Sequence, residues 1–337
     1  MIFPRRAVLF SILSLAPALF AAATRAKPTS PDNATAYKGA IVTDAATGNV
    51  LFEDRADYSG APASMTKLMT FAVLHDRLAA GTLTLATPVR IMNEDNIGGT
   101  QVFLDPRETF SVEELIHAMM IQSANDAARS LARFSGGSVA AFVELMNAKA
   151  RELGMTHTTF HTPHGLPPAS RRAADTDMTT PRDYATLCRH LLQKTDVLKY
   201  TSVRSRDFGP LRAKGPMKME NHNKLLGKVA GVDGLKTGYT TAAGYCTTIT
   251  AQRNGRRVIV VVMGSLGPGG QIDKGVTRDL KAVELLEKGF AVLPASAPTP
   301  IAAPQPKDIS ALMAAPRQPA PAEAPAEPMV KVSLPKK

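Results

Sequence analysis

The chain has 337 residues, of which 44% are hydrophobic and 5% aromatic, and its formal net charge is +11. This length is enough for a sizeable core in one or two domains. Nucleic-acid binding is not expected, because no basic stripe carries interleaved aromatic residues. A disulfide scaffold is not expected either, since the chain has only two cysteines. The modest positive charge suits anionic surfaces or substrates that carry carboxylates.

Both ends of the chain differ from its middle. Arg5 and Arg6 precede an apolar run of 17 residues and then small residues, which predicts a secretory signal peptide at 1–26. A transmembrane anchor is less favoured, because the run is short and contains Pro17. The segment 294–337 contains 11 prolines and 11 alanines in 44 residues, which predicts a disordered tail with weak or no membrane association. The globular domain is therefore expected at 27–293.

The first half of this domain is predicted to contain one hairpin followed by helices. The runs 39–44 and 50–54 flank a Gly-containing turn and predict the hairpin. Helices are expected from Pro62 to Gly81, from a capping box at 111–114, on both sides of a break at 123–125, over 138–153, and from Thr180. Residues 98–104 predict a short strand or loop.

The second half is predicted to be rich in strands. A strand over 232–237 should end at Gly238, and the runs 244–252 and 258–263 form a hairpin around Asn254-Gly255. A final helix is expected over 271–290, with its inward residues at Val276, Leu280, Val283 and Leu286. This order predicts an α+β fold, in which an antiparallel sheet built from both chain ends is flanked by helices and interrupted by a helical insertion. Cys188 continues an apolar stripe, which favours a buried thiol, and a disulfide with Cys246 is the alternative.

A chemical site is predicted around Ser64. If Pro62 opens a helix, Lys67 lies one turn after Ser64 on the same face. A serine hydroxyl is too weakly acidic to attack without such a base. The helix N-terminus adds N–H groups and a positive field where an oxyanion would form.

Two further motifs follow in order, Ser123-Ala124-Asn125 and Lys236-Thr237-Gly238. Together with Ser64-Met65-Thr66-Lys67 they resemble the S-x-x-K, S-x-N and K-T-G set of penicillin-binding proteins and serine β-lactamases. The surrounding residues, including His164-Gly165-Leu166, are most similar to the serine D-alanyl-D-alanine carboxypeptidases over about residues 36–290. The resemblance implies the transpeptidase-like fold of that group and a catalytic domain at 27–293.

The resemblance also implies roles for nine residues. Ser64 would be the acylated nucleophile, Lys67 its base, Ser123 a proton carrier and Asn125 an orienting group. Lys236, Thr237 and Arg278 would receive the terminal carboxylate of the substrate, and the backbone N–H of Tyr239 would complete the oxyanion hole with that of Ser64. Gly238 is expected to leave room for the substrate backbone.

The implied substrate is a peptidoglycan stem peptide that ends in D-Ala-D-Ala, with β-lactams as covalent inhibitors and a periplasmic location. No cofactor and no metal are implied. Two departures from the family pattern stand out. Tyr239 replaces a histidine found in many relatives, and the tail begins where the best-known members have a second, all-β domain and a membrane anchor.

Three alternatives stay open at this point. A class A β-lactamase would need a glutamate for its deacylating water, and the local candidate is Glu144 with Asn147 on a regular helix. A DD-endopeptidase would use the same machinery on a cross-linked peptide. A non-catalytic wall-binding protein would not need Ser64, Lys67 and Lys236 together.

Overall fold

The computed structural model describes residues 36–170 and 172–294. The predicted signal segment and the predicted tail, apart from Pro294, lie outside these residues. The strands are β1 (Gly39–Asp44), β2 (Val50–Asp54), β3 (Pro88–Arg90), β4 (Thr109–Ser111), β5 (Ser205–Phe208), β6 (Met217–Glu220), β7 (Val232–Thr240), β8 (Gly244–Arg253) and β9 (Arg256–Ser265). The α-helices are α1 (Lys67–Ala79), α2 (Val112–His117), α3 (Asn125–Gly136), α4 (Val139–Glu152), α5 (Pro181–Lys194), α6 (Val197–Thr201) and α7 (Val276–Val292).

The main sheet joins the two ends of the described chain. Its strands follow the order β2-β1-β9-β8-β7 and all neighbours are antiparallel. Helices α1–α6 form an insertion between β2 and β7. The predicted α+β fold with a helical insertion is therefore confirmed. Across residues 36–170 and 172–294, no helix is long and apolar enough to cross a membrane.

Strand β9 contains a continuous apolar run, without the alternation of apolar and polar residues that is typical of a half-buried strand. Successive side chains of a strand point to opposite faces, and the run Val258 to Met263 is buried throughout. Val258, Val260 and Val262 pack in one core with Leu286 of α7, whereas the residues between them belong to the core on the insertion side. The sheet is therefore covered on both faces. Strand β7 is an edge strand beside the insertion, because it is last in the strand order.

The start and the buried face of the final helix differ from the prediction. Helix α7 begins at Val276 rather than at Gln271, and Asp273 accepts hydrogen bonds from the N–H groups of its first turn. Val276 is 55% exposed and Leu280 67%, although both were expected to point inward. The buried face instead contains Arg278, which is only 5% exposed. Leu286 is buried and Val283 packs against the core, as predicted, but the first turns of the helix present Arg278 rather than Val276 and Leu280 to the protein.

Candidate active site

Ser64 lies in a short 3₁₀ turn, Ala63–Thr66, that leads directly into α1. The prediction placed it in the first turn of an α-helix, so the local geometry is tighter than expected. The expected contact between the two side chains still forms, because Oγ of Ser64 lies 3.0 Å from Nζ of Lys67.

Lys67 is fully buried and its amine has three partners. Besides Ser64, Nζ lies 2.7 Å from Oδ1 of Asn125 and 2.9 Å from the carbonyl oxygen of His164. Both of these oxygens can only accept, so a neutral amine donates to them and keeps its lone pair for the hydroxyl of Ser64. Burial, followed by the charge of Lys236, holds the pKa of Lys67 well below its ordinary value. The geometry and the electrostatics both suit a lysine that acts as a base.

The predicted break in the helix at 123–125 places two polar side chains, those of Ser123 and Asn125, near the turn that carries Ser64. A π-helical turn, Ala118–Gln122, ends at Ser123, which adopts a left-handed conformation with φ 62°. Nζ of Lys236 donates to Oγ of Ser123 at 2.9 Å. Asn125 is fixed from its other side, since Nδ2 donates to the carbonyl of Gly98 at 3.0 Å. Its Oδ1 is thereby turned toward Lys67.

Lys236 and Arg278 lie at the other end of the same site. Burial, and then the charge of Arg278, lower the pKa of Lys236 to about 7. The Arg278 guanidinium is held by Asp279, with Nη2 2.7 Å from Oδ1, and lines a cleft together with Thr237. Two basic side chains and a hydroxyl thus lie in one region of the site, an arrangement that suits a carboxylate ligand.

The predicted strand end at Gly238 is wrong. Strand β7 does not end there but continues to Thr240. A Cβ at position 238 would lie 2.8 Å from the carbonyl oxygen of Pro62 and 2.9 Å from the backbone nitrogen of Ser64. The glycine thus lets β7, with Tyr239 as its next residue, approach the nucleophile turn.

A buried carboxylate that the sequence did not reveal supports the nucleophile turn. Asp177 accepts from Oγ1 of Thr66 at 2.8 Å, from the backbone N–H of His161 at 2.7 Å, and from both the backbone N–H and Oγ1 of Thr162 at 3.0 Å. Oγ1 of Thr162 in turn accepts from the N–H of Gly165 at 2.8 Å. Asp177 thereby links the segment 161–165 to the turn that carries Ser64. This segment includes His164, whose carbonyl oxygen contacts Lys67. No local pattern around Asp177 predicts these long-range contacts.

These groups open into a cleft of about 670 Å³. Its lining residues come from the nucleophile turn, the break, strands β6, β7 and β8, helix α7, and the loops before or after these elements: Ser64, Thr100, Gln122, Ser123, Lys218, Glu220, Asn221, His222, Lys224, Thr237, Gly238, Tyr239, Tyr245, Lys274 and Arg278. A groove of similar volume, about 720 Å³, lies between residues 105–114 and 209–214 but contains none of the predicted site residues. Within the described ranges, no group of histidine, cysteine and acidic side chains could hold a metal ion.

Both cysteines are buried free thiols. The predicted burial of Cys188 is confirmed, and the alternative of a disulfide with Cys246 is wrong. Burial raises the pKa of the Cys188 thiol to about 12 and that of Cys246 to about 11, so both are protonated and unreactive near neutral pH.

Replacing Lys236 with alanine should shift the pH dependence of acylation. The nearby Lys236 charge lowers the pKa of Lys67, so its removal should raise that pKa. Because Lys67 acts as a base only when neutral, the acid limb of kcat/KM should move to higher pH. The measurement is the pH profile for an ester without a free carboxylate. An acid limb at the parent's pH would mean that Lys236 does not tune Lys67.

The fold and the arrangement of Ser64, Lys67, Ser123 and Lys236 are those of the penicillin-binding proteins. A structure of penicillin-binding protein D2 from Listeria monocytogenes in the ampicillin-bound form is similar, with a TM-score of 0.64 and 33% identity, over 76% of this chain and 98% of that one. A structure of the D-alanyl-D-alanine carboxypeptidase DacD from Francisella tularensis gives a TM-score of 0.68 at 27% identity, over 76% and 70% of the two chains.

The chain belongs to the D-alanyl-D-alanine carboxypeptidase family, peptidase family S11, whose sequence model matches residues 24–267. It is 35% identical to the carboxypeptidase DacF of Bacillus subtilis, over 76% of this chain and 64% of that protein. It is 36% identical to DacC of Escherichia coli, over 74% and 61%. It is 31% identical to DacB2 of Mycobacterium tuberculosis, over 75% and 82%. The alignments thus span a little over three fifths of the first two relatives.

Proposed function

We propose that this protein is a serine DD-carboxypeptidase that removes the terminal D-alanine from peptidoglycan stem peptides through an acyl-enzyme. The observation that carries the proposal is the buried Lys67 amine, which lies 3.0 Å from Oγ of Ser64 and has two acceptor-only partners. A neutral lysine in this position can take the hydroxyl proton. Family membership and the names of the relatives support the choice of D-Ala-D-Ala as the bond attacked.

In the proposed reaction, Oγ of Ser64 attacks the carbonyl carbon of the penultimate D-alanine while its proton passes to Lys67. The oxyanion forms beside the backbone N–H groups of Ser64 and Tyr239, and each such donor is worth about 3 kcal/mol in related chemistry. The amide bond then breaks, and the D-alanine amine leaves with a proton delivered through Ser123. Water hydrolyses the resulting ester by the reverse proton path and restores Ser64.

Substrate binding is proposed to use the edge of the sheet and the cationic end of the cleft. Strand β7 pairs only with β8 in the described structure, so its outer edge can pair with an extended peptide. The terminal carboxylate would contact Lys236, Thr237 and Arg278. A β-lactam presents a comparable carboxylate and a reactive amide, so we propose penicillin sensitivity, as the ampicillin-bound form of the Listeria protein suggests. The proposed site of action is the periplasm.

The β-lactamase alternative is less well supported. Glu144, its candidate for the deacylating water, is exposed on α4 and does not line the cleft. Asn147 is used elsewhere, since its side chain exchanges hydrogen bonds with the backbone of Phe160 at 2.8 and 2.9 Å. A non-catalytic wall-binding protein would have no need of the buried Ser64–Lys67 contact.

The proposal is tested by adding the chain without residues 1–26 to a peptide that ends in D-Ala-D-Ala. Release of D-alanine supports the function, and no release at micromolar enzyme contradicts it. Labelling with a fluorescent penicillin separates the alternatives. A long-lived adduct on Ser64 indicates a carboxypeptidase, rapid turnover a β-lactamase, and no label a binding protein.

Arg278→Ala should raise the KM for D-Ala-D-Ala peptides by about tenfold or more, the value of a charge-assisted contact to a carboxylate. It should hardly change kcat/KM for a matched ester that lacks the free carboxylate. Lys236→Ala should slow both substrates, because Lys236 also acts on Lys67 and Ser123. Equal losses on both substrates for Arg278→Ala would show that Arg278 does not recognise the carboxylate.

A further inference from the structure

The cleft contains more positive charge than one substrate carboxylate requires. Some of its cations already have acidic partners. Arg278 is paired with Asp279, and Nζ of Lys218 lies 3.4 Å from a carboxylate oxygen of Glu220. These two cations are therefore partly neutralised before any substrate arrives.

Lys224 and Lys274 differ from them. Both line the cleft and both are exposed. Among the described residues, neither forms an ion pair or a side-chain hydrogen bond with an acidic group. Lys274 lies just before α7, where Asp273 is already engaged by backbone N–H groups of the first helical turn. The two lysines come from different segments, one before β7 and the other before α7, and both line the same cleft.

Lys274 lies beside the proposed carboxylate site. A Cβ on Gly275, the residue after Lys274, would lie 3.0 Å from the guanidinium carbon of Arg278. His222, two residues before Lys224, also lines the cleft. The surrounding protein and the charges of Lys236, Lys67, Arg278 and Lys224 lower its pKa to about 4, so it is neutral near pH 7. Lys224, like Lys274, lines the same cleft as Thr237 and Arg278, the groups proposed to receive the terminal carboxylate.

We infer that the leaving-group side of the cleft accepts an amino acid that carries a second anionic group, with Lys224 and Lys274 as its contacts. The inference rests on the proposed function. The reaction is unchanged: water is added across the amide, the acyl carbon keeps the new oxygen, and the leaving amine takes a proton and departs with both acidic groups. D-alanine has only one such group. A leaving residue with an acidic side chain, such as D-glutamate, satisfies both parts of the cleft.

The test uses two peptides that differ only in one charge, acyl-D-Ala-D-Glu and acyl-D-Ala-D-Gln. Both keep the terminal carboxylate, so Arg278 and Thr237 serve both equally. The parent enzyme should cleave the D-Glu peptide with a kcat/KM about fivefold higher at low salt, as expected for a solvent-exposed charge contact. This ratio should fall toward one as the ionic strength rises, because exposed charges are screened.

The double variant Lys224→Gln/Lys274→Gln should bring the ratio to about one and still release D-alanine from a D-Ala-D-Ala peptide. Lys218→Gln is the matched control, since Lys218 lines the same cleft but is already paired with Glu220, and it should keep the parent's preference. A ratio of one in the parent, or a preference that survives in the double variant, would overturn the inference while leaving the carboxypeptidase function intact. No hydrolysis of any of these peptides, D-Ala-D-Ala included, would instead contradict the proposed function, and the inference with it.

Discussion

Lys67→Ala is expected to slow acylation of Ser64 by penicillin by about 10²–10⁴-fold, the usual contribution of a positioned general base. The reason is local, because the Lys67 amine is the basic group within hydrogen-bonding distance of the Ser64 hydroxyl in the described structure. The measurement is the second-order rate of covalent labelling by a fluorescent penicillin. D-alanine release should fall in parallel, since both reactions begin with the same attack.

The control for this variant is its folded state. Lys67 is buried with three hydrogen bonds, so its removal leaves Asn125 and the His164 carbonyl without a donor. The melting temperature and the circular dichroism spectrum should therefore be compared with those of the parent. A folded Lys67→Ala protein that acylates at the parent's rate would mean that the proton goes elsewhere, with Ser123 as the next candidate.

Gly165→Ala is expected to reduce acylation by about 100-fold, the cost of moving reacting groups by roughly 1 Å. A Cβ at this position would lie 1.9 Å from the carbonyl oxygen of Ala63, in the turn that carries Ser64. Gly165 also has φ +83°, a left-handed conformation that suits glycine. Either the turn or the 161–165 segment must move, and both hold groups that contact Lys67. Acylation by penicillin and the melting temperature measure the result.

Gly137→Ala is the matched control, because Gly137 has a similar φ of +77° but no atom within 4 Å of its would-be Cβ. It should cost about 1 kcal/mol of stability from the backbone alone and leave acylation unchanged. The difference between the two variants isolates the contact with Ala63. If Gly165→Ala behaves like Gly137→Ala, the nucleophile turn does not depend on this close approach.

The errors at the final helix and at Gly238 have one physical origin. A periodic pattern predicts which apolar residues lie on the same face of a helix. The prediction then assumes that this apolar face is the buried one. In α7 the buried face includes Arg278, which is paired with Asp279, and Val276 and Leu280 are exposed instead. At Gly238 a local pattern indicates a strand end. In the structure, a side chain at this position would instead clash with the backbone of Pro62 and Ser64, which are far away in the chain.

Local information was sufficient for the strands of the main sheet, the longer helices, the helical break at 123–125, and the three motifs that carry Ser64, Ser123 and Lys236, but it did not predict β3 to β6 or α6. Each depends on residues within a few positions of one another, such as a capping serine, an Asn-Gly turn or a serine three residues before a lysine. Tertiary structure alone decided the pairing of Asp177 with Thr66, the burial of Arg278 and the position of Lys224 and Lys274 in one cleft. These contacts join segments up to about 110 residues apart, and packing rather than local propensity brings them together.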